Sequence, residues 1–96
     1  MKIKILGSAV KDLEDGYKFY EKQMSGLGDY FLSSLFSDID SLHIYGGVHS
    51  KVFGFYRMLS KRFPYAIYYR LKGEEITVFA VLDCRQDPLK AKIRLS

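Results

Sequence analysis

Two short segments in the second half of the chain carry residue types that could do chemistry. The first runs from Arg62 to Arg70 and sets aromatic and apolar side chains between two arginines. The second runs from Phe79 to Pro88 and ends in a turn that contains Asp83 and Arg85. Aromatic and apolar residues of this kind favour strands, and guanidinium groups bind carboxylates and phosphates bidentately. We therefore predict two adjacent strands whose rim binds an anionic or acidic partner, with a phosphate-directed active site as a second interpretation.

The candidates for contacts with a target or partner are Arg57, Arg62, Tyr65, Tyr68, Arg70, Asp83 and Arg85. Arg85 is the first choice, because a guanidinium just beyond a strand end can project away from the sheet. Asp83 either orients Arg85 across one intervening residue or serves as a turn residue. Ordinary surface ion pairs explain such arginines about as well, and tyrosine on a sheet is first a packing residue.

Other residues with catalytic or metal-binding chemistry are sparse. Cys84 is the single cysteine, so no intramolecular disulfide can form, and it shares no motif with His43 or His49. A lone cysteine is more often a small buried apolar group than a nucleophile. The histidines have no recognised metal-ligand spacing and are interpreted as residues of a solvated helix end and loop. We expect no metal, no cofactor and no catalytic role for Cys84.

Length and composition limit the class of protein. The 96 residues are 48% hydrophobic and 27% charged, which suffices for one modest core without disulfides or metal. We predict a single domain over residues 1–96. The first six residues are too few and too charged for a secretory segment, and no apolar stretch approaches the roughly 18 residues that cross a bilayer. A soluble cytoplasmic protein with no membrane role is expected.

Charge is distributed unevenly along the chain. Residues 1–48 carry five lysines against seven acidic residues, for a net charge of −2, whereas residues 49–96 carry ten basic residues against four acidic ones, for +6. A positive field raises the encounter rate with nucleic acid or with an acidic protein, without distinguishing the two. Ordinary solvated lysines on strand edges are the alternative explanation.

The hydrophobic pattern of the first half predicts a strand and two helices. Residues 1–6 alternate apolar side chains and lysine, as in a strand with one solvated face. Ser8 is predicted to cap a first helix, which Gly16 weakens by roughly 1 kcal/mol. Its apolar positions, at helical spacing, are Leu13, Tyr17, Tyr20 and Met24.

A second helix follows a tight turn at residues 25–28. Its apolar positions are Leu32, Leu35, Phe36, Ile39 and Leu42, and its predicted outward-facing acidic residues are Asp29, Asp38 and Asp40. Two helices joined by so short a turn are expected to form an antiparallel hairpin.

The second half predicts three strands, at about residues 51–60, 64–71 and 75–83, after a loop over residues 43–50. A turn at residues 72–74 that contains glycine joins the last two strands as a hairpin. The strand at 64–71 is apolar on both faces, because Tyr65, Ile67 and Tyr69 alternate with Ala66 and Tyr68. One face is expected to pack on the helices, and the other to be partly exposed or covered by a partner.

The order β-α-α-β-β-β, with two motifs on its last strands, resembles the RelE/ParE superfamily of bacterial toxins from type II toxin–antitoxin systems. The first motif is Arg62-Phe63-Pro64-Tyr65 followed by Ile67 and Tyr69, and the second is Ala80-Val81-Leu82 followed by Arg85 and Asp87-Pro88. Segments 8–13 and 17–20 are also similar to the first helix of that family. The likeness covers nearly the whole chain.

This resemblance implies an α+β fold in which an antiparallel helix hairpin packs on a small, mainly antiparallel sheet. It also implies a toxin component of a plasmid-stabilisation type of system, which inhibits growth and is neutralised by a cognate acidic antitoxin. RelE-like members cleave mRNA on the ribosome, and ParE-like members poison DNA gyrase. The basic second half of the chain agrees with an acidic partner.

Ribosome-dependent cleavage requires a base for the 2′-hydroxyl and cations for the phosphate. Compared with RelE-like enzymes, the cationic pair of the second strand corresponds to Arg57 and Leu59, and Ala66 replaces the arginine that follows the third-strand tyrosine. No tyrosine follows in residues 89–96. Only Arg57 and Arg85 remain as catalytic candidates, and two arginines are poor general bases.

Asp83 also occupies the position where many RelE relatives have a histidine. The resemblance therefore favours the ParE-like side, with DNA gyrase as the target and no catalytic set. A ribosome-dependent mRNA endoribonuclease is the alternative, and a decayed toxin that keeps only its antitoxin interface is a second alternative.

Overall fold

A five-stranded mixed sheet with a helix hairpin on one face is the framework of the computed structural model, which describes residues 1–96. In chain order the elements are β1 (Lys2–Ile5), α1 (Gly7–Gln23), α2 (Leu27–Asp40), α3 (Leu42–Tyr45), β2 (Lys51–Val52), β3 (Phe55–Leu59), β4 (Tyr65–Lys72), β5 (Glu75–Asp83) and α4 (Pro88–Arg94). The strand order is β1-β5-β4-β3-β2, and only the β1–β5 pair is parallel. The predicted fold class is confirmed.

Three element boundaries differ from the sequence prediction. The segment at 51–60 is not one strand, because a two-residue turn at Phe53-Gly54 divides it into β2 and β3. The second helix ends at Asp40, and Leu42 belongs to the short helix α3. Helix α4 was not predicted, although Asp87 accepts a hydrogen bond from the Leu89 N–H and Pro88 follows it as the first helical residue. An acidic N-cap before proline is a helix-start signal, which the sequence analysis interpreted as a turn.

The hairpin of α1 and α2 is held by a carboxylate at its turn and by a close approach of the two helices. Glu21 accepts hydrogen bonds from the N–H groups of Gly26 and Gly28, at 3.1 and 2.9 Å. A Cβ atom on Gly16 would lie 2.5 Å from the ring of Phe31, which is fully buried. The glycine that lowers helix propensity is therefore the residue that lets the second helix pack.

The main core lies between the helix hairpin and the sheet. Strand β4 contributes Tyr65, Ile67 and Tyr69, and the helices contribute Leu13, Tyr20, Phe31, Leu35 and Ile39. Rings are packed densely at one end of this core, where Tyr20 and Phe31 stack with 5.1 Å between centroids and Phe63 meets both edge-on.

The opposite face of β4 is also covered, contrary to the expected partial exposure. Ala66 and Tyr68 are 0% and 4% exposed and form a second cluster with Phe55, Ala80 and Leu95. Leu95 reaches this cluster from just beyond α4. Because α4 was not predicted from the sequence, Leu95 was not expected to cover this face.

A bulge in β5 sets which of its residues point to each core. Tyr68 pairs with Ala80 and Tyr69 pairs with Val78, so Phe79 is an extra residue in the ladder. Val78 lies in the main core and Ala80 in the second cluster, although two residues separate them. In a regular strand, Val78 and Ala80 would point to the same face of the sheet. The bulge at Phe79 turns Ala80 to the opposite face.

Two polar residues have positions other than those predicted. Ser8 does not cap α1, which begins at Gly7; its hydroxyl donates to the carbonyl of Phe79 at 3.2 Å. Asp38 does not face solvent, because it is 5% exposed and accepts a hydrogen bond from Ser60 Oγ at 2.7 Å. Phe36, predicted on the apolar face, is instead 47% exposed.

Replacing Gly16 with alanine is expected to lower the free energy of unfolding by about 1–3 kcal/mol, because the added methyl group overlaps the Phe31 ring. Gly7→Ala is the matched control, since a Cβ at that position meets nothing within 4 Å. Urea denaturation of both variants measures the difference. Equal stability of the two variants would contradict the proposed helix contact.

Candidate functional site

Asp83 and Arg85, at the end of β5, form a closed ion pair. The guanidinium donates through Nε to Asp83 Oδ1 at 3.0 Å and through Nη2 to Oδ2 at 2.8 Å, and the backbone N–H of Arg85 donates to Oδ1 at 2.9 Å. These hydrogen bonds lower the pKa of Asp83 below its ordinary value. The structure therefore shows the orienting contact that the sequence analysis considered for this pair.

Helix α1 supplies the rest of the surroundings of Arg85. Nη2 also donates to the Tyr20 hydroxyl at 3.2 Å, and the guanidinium lies 5.7 Å from the ring centroid of Phe19. The Arg85 side chain remains 52% exposed, and both Nη1 N–H groups lack a partner in the protein. Arg85 is thus held in one orientation while it still offers donors to a carboxylate or phosphate.

Arg57 lies on the other face of the sheet. It donates from Nε to the Tyr68 hydroxyl at 3.1 Å and contacts Cys84 Sγ from Nη2 at 3.5 Å. A cavity of about 250 Å³ opens beside it, between the β2–β3 turn, the end of β5 and the start of α4. Cys84 is exposed, so the predicted buried position for this residue is wrong.

The other predicted contact residues are dispersed. Arg70 stacks over the Phe55 ring at 4.0 Å from its centroid, and Arg62 is exposed in the loop between β3 and β4. Tyr65 and Tyr68 are only 7% and 4% exposed, so they act as packing residues and present no ring to solvent. Burial raises the pKa of Tyr65 to about 12.

A carboxylate on α1 connects three elements near this site. Asp12 accepts two hydrogen bonds from the Arg94 guanidinium, both at 2.8 Å, and a third from the Val81 N–H at 3.0 Å. Arg94 also donates to the carbonyl of Ser8. This contact was not predicted from the sequence, since residues 82 positions apart carry no local signal for it.

The two histidines have different surroundings. His43 is exposed near Asp40, as expected for a helix end. His49 is not fully solvated: its Nδ1 lies 2.5 Å from the Tyr69 hydroxyl, which also accepts from the Gly47 N–H, and burial lowers the His49 pKa. No group of three or more potential ligands could hold a metal ion, and no helix has the length and apolar character that crossing a membrane requires.

Comparison with known proteins relates this fold to one family. A family model described as the ParE toxin of a type II toxin–antitoxin system, parDE, matches residues 3–88. A search of curated proteins finds no significant match. A solved structure described as the chromosomal ParDE toxin–antitoxin system from P. aeruginosa aligns with a TM-score of 0.72 and 22% identity, over 84% of this chain and 92% of that chain. At this identity the structural likeness shows the fold alone.

Replacing Asp83 with asparagine is expected to lower the free energy of unfolding by about 1–2 kcal/mol at neutral pH, because a charge-assisted pair is lost. The folded pKa of Asp83 lies below the unfolded value of roughly 3.9, so the contribution is present above that pH and disappears as the pH falls through the folded pKa. Chemical denaturation between about pH 7 and pH 2 measures it.

The difference between Asp83→Asn and the unmodified chain should therefore shrink in acid. Asp15→Asn is the control, since Asp15 is 58% exposed in its pair with Lys11 and should contribute under about 0.5 kcal/mol. A difference for Asp83→Asn that stays constant down to acid pH would contradict the ion-pair interpretation.

Proposed function

The chain belongs to the ParE toxin family of type II toxin–antitoxin systems, and from this premise we propose that it arrests growth by binding DNA gyrase. It acts in the cytoplasm and is held inactive by a cognate acidic antitoxin. It recognises its protein target through exposed side chains and carries out no chemistry of its own.

The separation of Arg57 and Arg85 is the observation that carries this proposal. Cleavage of mRNA requires cationic groups that converge on one phosphate, with a base within reach of the 2′-hydroxyl. Arg57 is bound to Tyr68 on one face of the sheet, and Arg85 is bound to Asp83 and Tyr20 on the other. Two guanidinium groups placed in this way favour contacts with a protein partner over a shared phosphate site.

The surface of the helix hairpin supports an acidic antitoxin as partner. Phe19, Met24 and Tyr30 are 47%, 62% and 49% exposed, which is high for large apolar side chains. Arg85 lies next to Phe19 and keeps two N–H groups without a partner. An amphipathic acidic segment would place apolar side chains on the hairpin and a carboxylate on Arg85.

Purified protein is expected to inhibit DNA supercoiling by gyrase and to leave ribosome-bound mRNA intact. Addition of the antitoxin encoded beside it should restore supercoiling. Induced expression with pulse-labelling provides the cellular measurement, and DNA synthesis should fail before protein synthesis does.

The same experiment separates the two alternatives. Loss of protein synthesis with cut mRNA, abolished by Arg57→Ala while antitoxin binding persists, would establish the endoribonuclease instead. Antitoxin binding without growth arrest would establish a decayed toxin.

A further inference from the structure

The turn between β2 and β3 holds a phenylalanine in an unfavourable backbone conformation. Phe53 has a φ of 55° and Gly54 a φ of 81°, and the two residues alone connect paired strands. A two-residue hairpin with positive φ at both positions is a type I′ turn, for which Asn-Gly is the preferred sequence. A bulky residue in the left-handed region is destabilising and persists only where something offsets that cost.

Packing inside the chain covers only part of this side chain. The Phe53 side chain is 45% exposed, belongs to neither hydrophobic cluster and stacks on no other ring. Its neighbour across the turn, Phe55, is by contrast 4% exposed and lies in the second cluster. Backbone strain at a large apolar side chain that leaves nearly half of its surface exposed indicates a role in binding, because such a conformation is kept at a cost in stability.

Phe53 forms one wall of the cavity beside Arg57. The other apolar walls include Leu82 and Pro88, and Lys90 lies at the margin. At about 250 Å³ the cavity is smaller than the roughly 300–1,000 Å³ of typical small-molecule sites. It has room for a protruding side chain of a partner, which is how the central residues of protein interfaces are usually seated.

The hydrogen-bond donors still free around the cavity belong to cationic side chains. Its two carboxylates already accept hydrogen bonds within the protein, Asp83 from Arg85 and Asp87 from the Leu89 N–H. Arg57 uses two of its five N–H groups within the protein, and the exposed Lys90 ammonium group has no hydrogen-bond partner there. The complementary group is therefore an anion next to an apolar side chain.

We propose that this cavity docks an apolar side chain of the protein target that is flanked by a carboxylate, with Phe53 as the recognition residue and Arg57 and Lys90 as the anion contacts. The occupant is a segment of gyrase, so the inference rests on the proposed function. A nucleobase stacked on Phe53 is the competing occupant. Half of the residues that line the cavity are hydrophobic, which favours a protein side chain over a nucleic-acid backbone.

Phe53→Asn tests the inference directly, because asparagine accepts the left-handed conformation that phenylalanine resists. The variant is expected to unfold at the same temperature as the unmodified chain or higher, and to bind the antitoxin equally well. Its half-inhibitory concentration in the gyrase supercoiling assay should rise at least about tenfold, the effect typical of a central interface residue. Phe36→Gln removes an aromatic side chain of similar exposure from α2 and should leave inhibition unchanged.

Reversal of a lysine charge beside the cavity tests the anion contact independently of Phe53. Lys90→Glu should weaken gyrase inhibition, whereas Lys92→Glu, an exposed residue of the same helix outside the cavity, should not. Full inhibition by Phe53→Asn would overturn the inference while the proposed function stands. Loss of antitoxin binding alone by Phe53→Asn would likewise overturn the inference and make the antitoxin the occupant. Cleavage of ribosome-bound mRNA by the unmodified chain that Phe53→Asn abolishes would overturn the inference and the proposed function together, with RNA as the occupant. Failure of the unmodified chain to inhibit gyrase would overturn the proposed function and the assigned occupant together.

Discussion

Burial of β4 on both faces is the constraint on which the rest of the structure depends. Its residues 65–69 are all buried, so each face requires its own cover. The helix hairpin covers one face with a cluster of rings, and Phe55, Ala80 and Leu95 cover the other. A strand buried on both sides can contribute little to recognition through its own side chains. Recognition then falls to the turns and strand ends around it.

Because β1 is shorter than β5, backbone groups at the edge of β5 need hydrogen-bond partners from another element. The last residue of β1 pairs with Val78, so β5 continues beyond it with a free edge. Side chains of α1 bind that edge: Ser8 donates to the Phe79 carbonyl, and Asp12 accepts from the Val81 N–H. Ser8 and Asp12 are one helical turn apart on the same face of α1. Their side chains therefore lie opposite one carbonyl group and one N–H group of β5. Since Asp12 also binds Arg94, the same contact holds α4 near the end of β5.

The end of β5 consequently separates two chemically different surfaces. Arg85 turns toward the helix hairpin and is oriented by Asp83 and Tyr20, whereas Arg57 faces the cavity on the opposite side. Under the function proposed for this member of the ParE toxin family, the antitoxin would contact the hairpin surface and the target would contact the cavity, on different faces of one small chain. A strained Phe53 beside the cavity fits this division, because hairpin stability alone would favour asparagine there.

Local sequence patterns determined the α+β class, the helix hairpin, the main strands and the Asp83–Arg85 contact, because periodicity, glycine turns and i,i+2 pairs act within a few residues. They could not predict the burial of Asp38, the bulge at Phe79 or the cover over Tyr68, since each depends on residues distant in the chain. The Tyr20–Arg85 contact spans 65 residues and the Asp12–Arg94 contact spans 82. Only the tertiary structure decided that Arg57 and Arg85 occupy different faces, because strand pairing and the bulge, and not residue type, set the direction of each side chain.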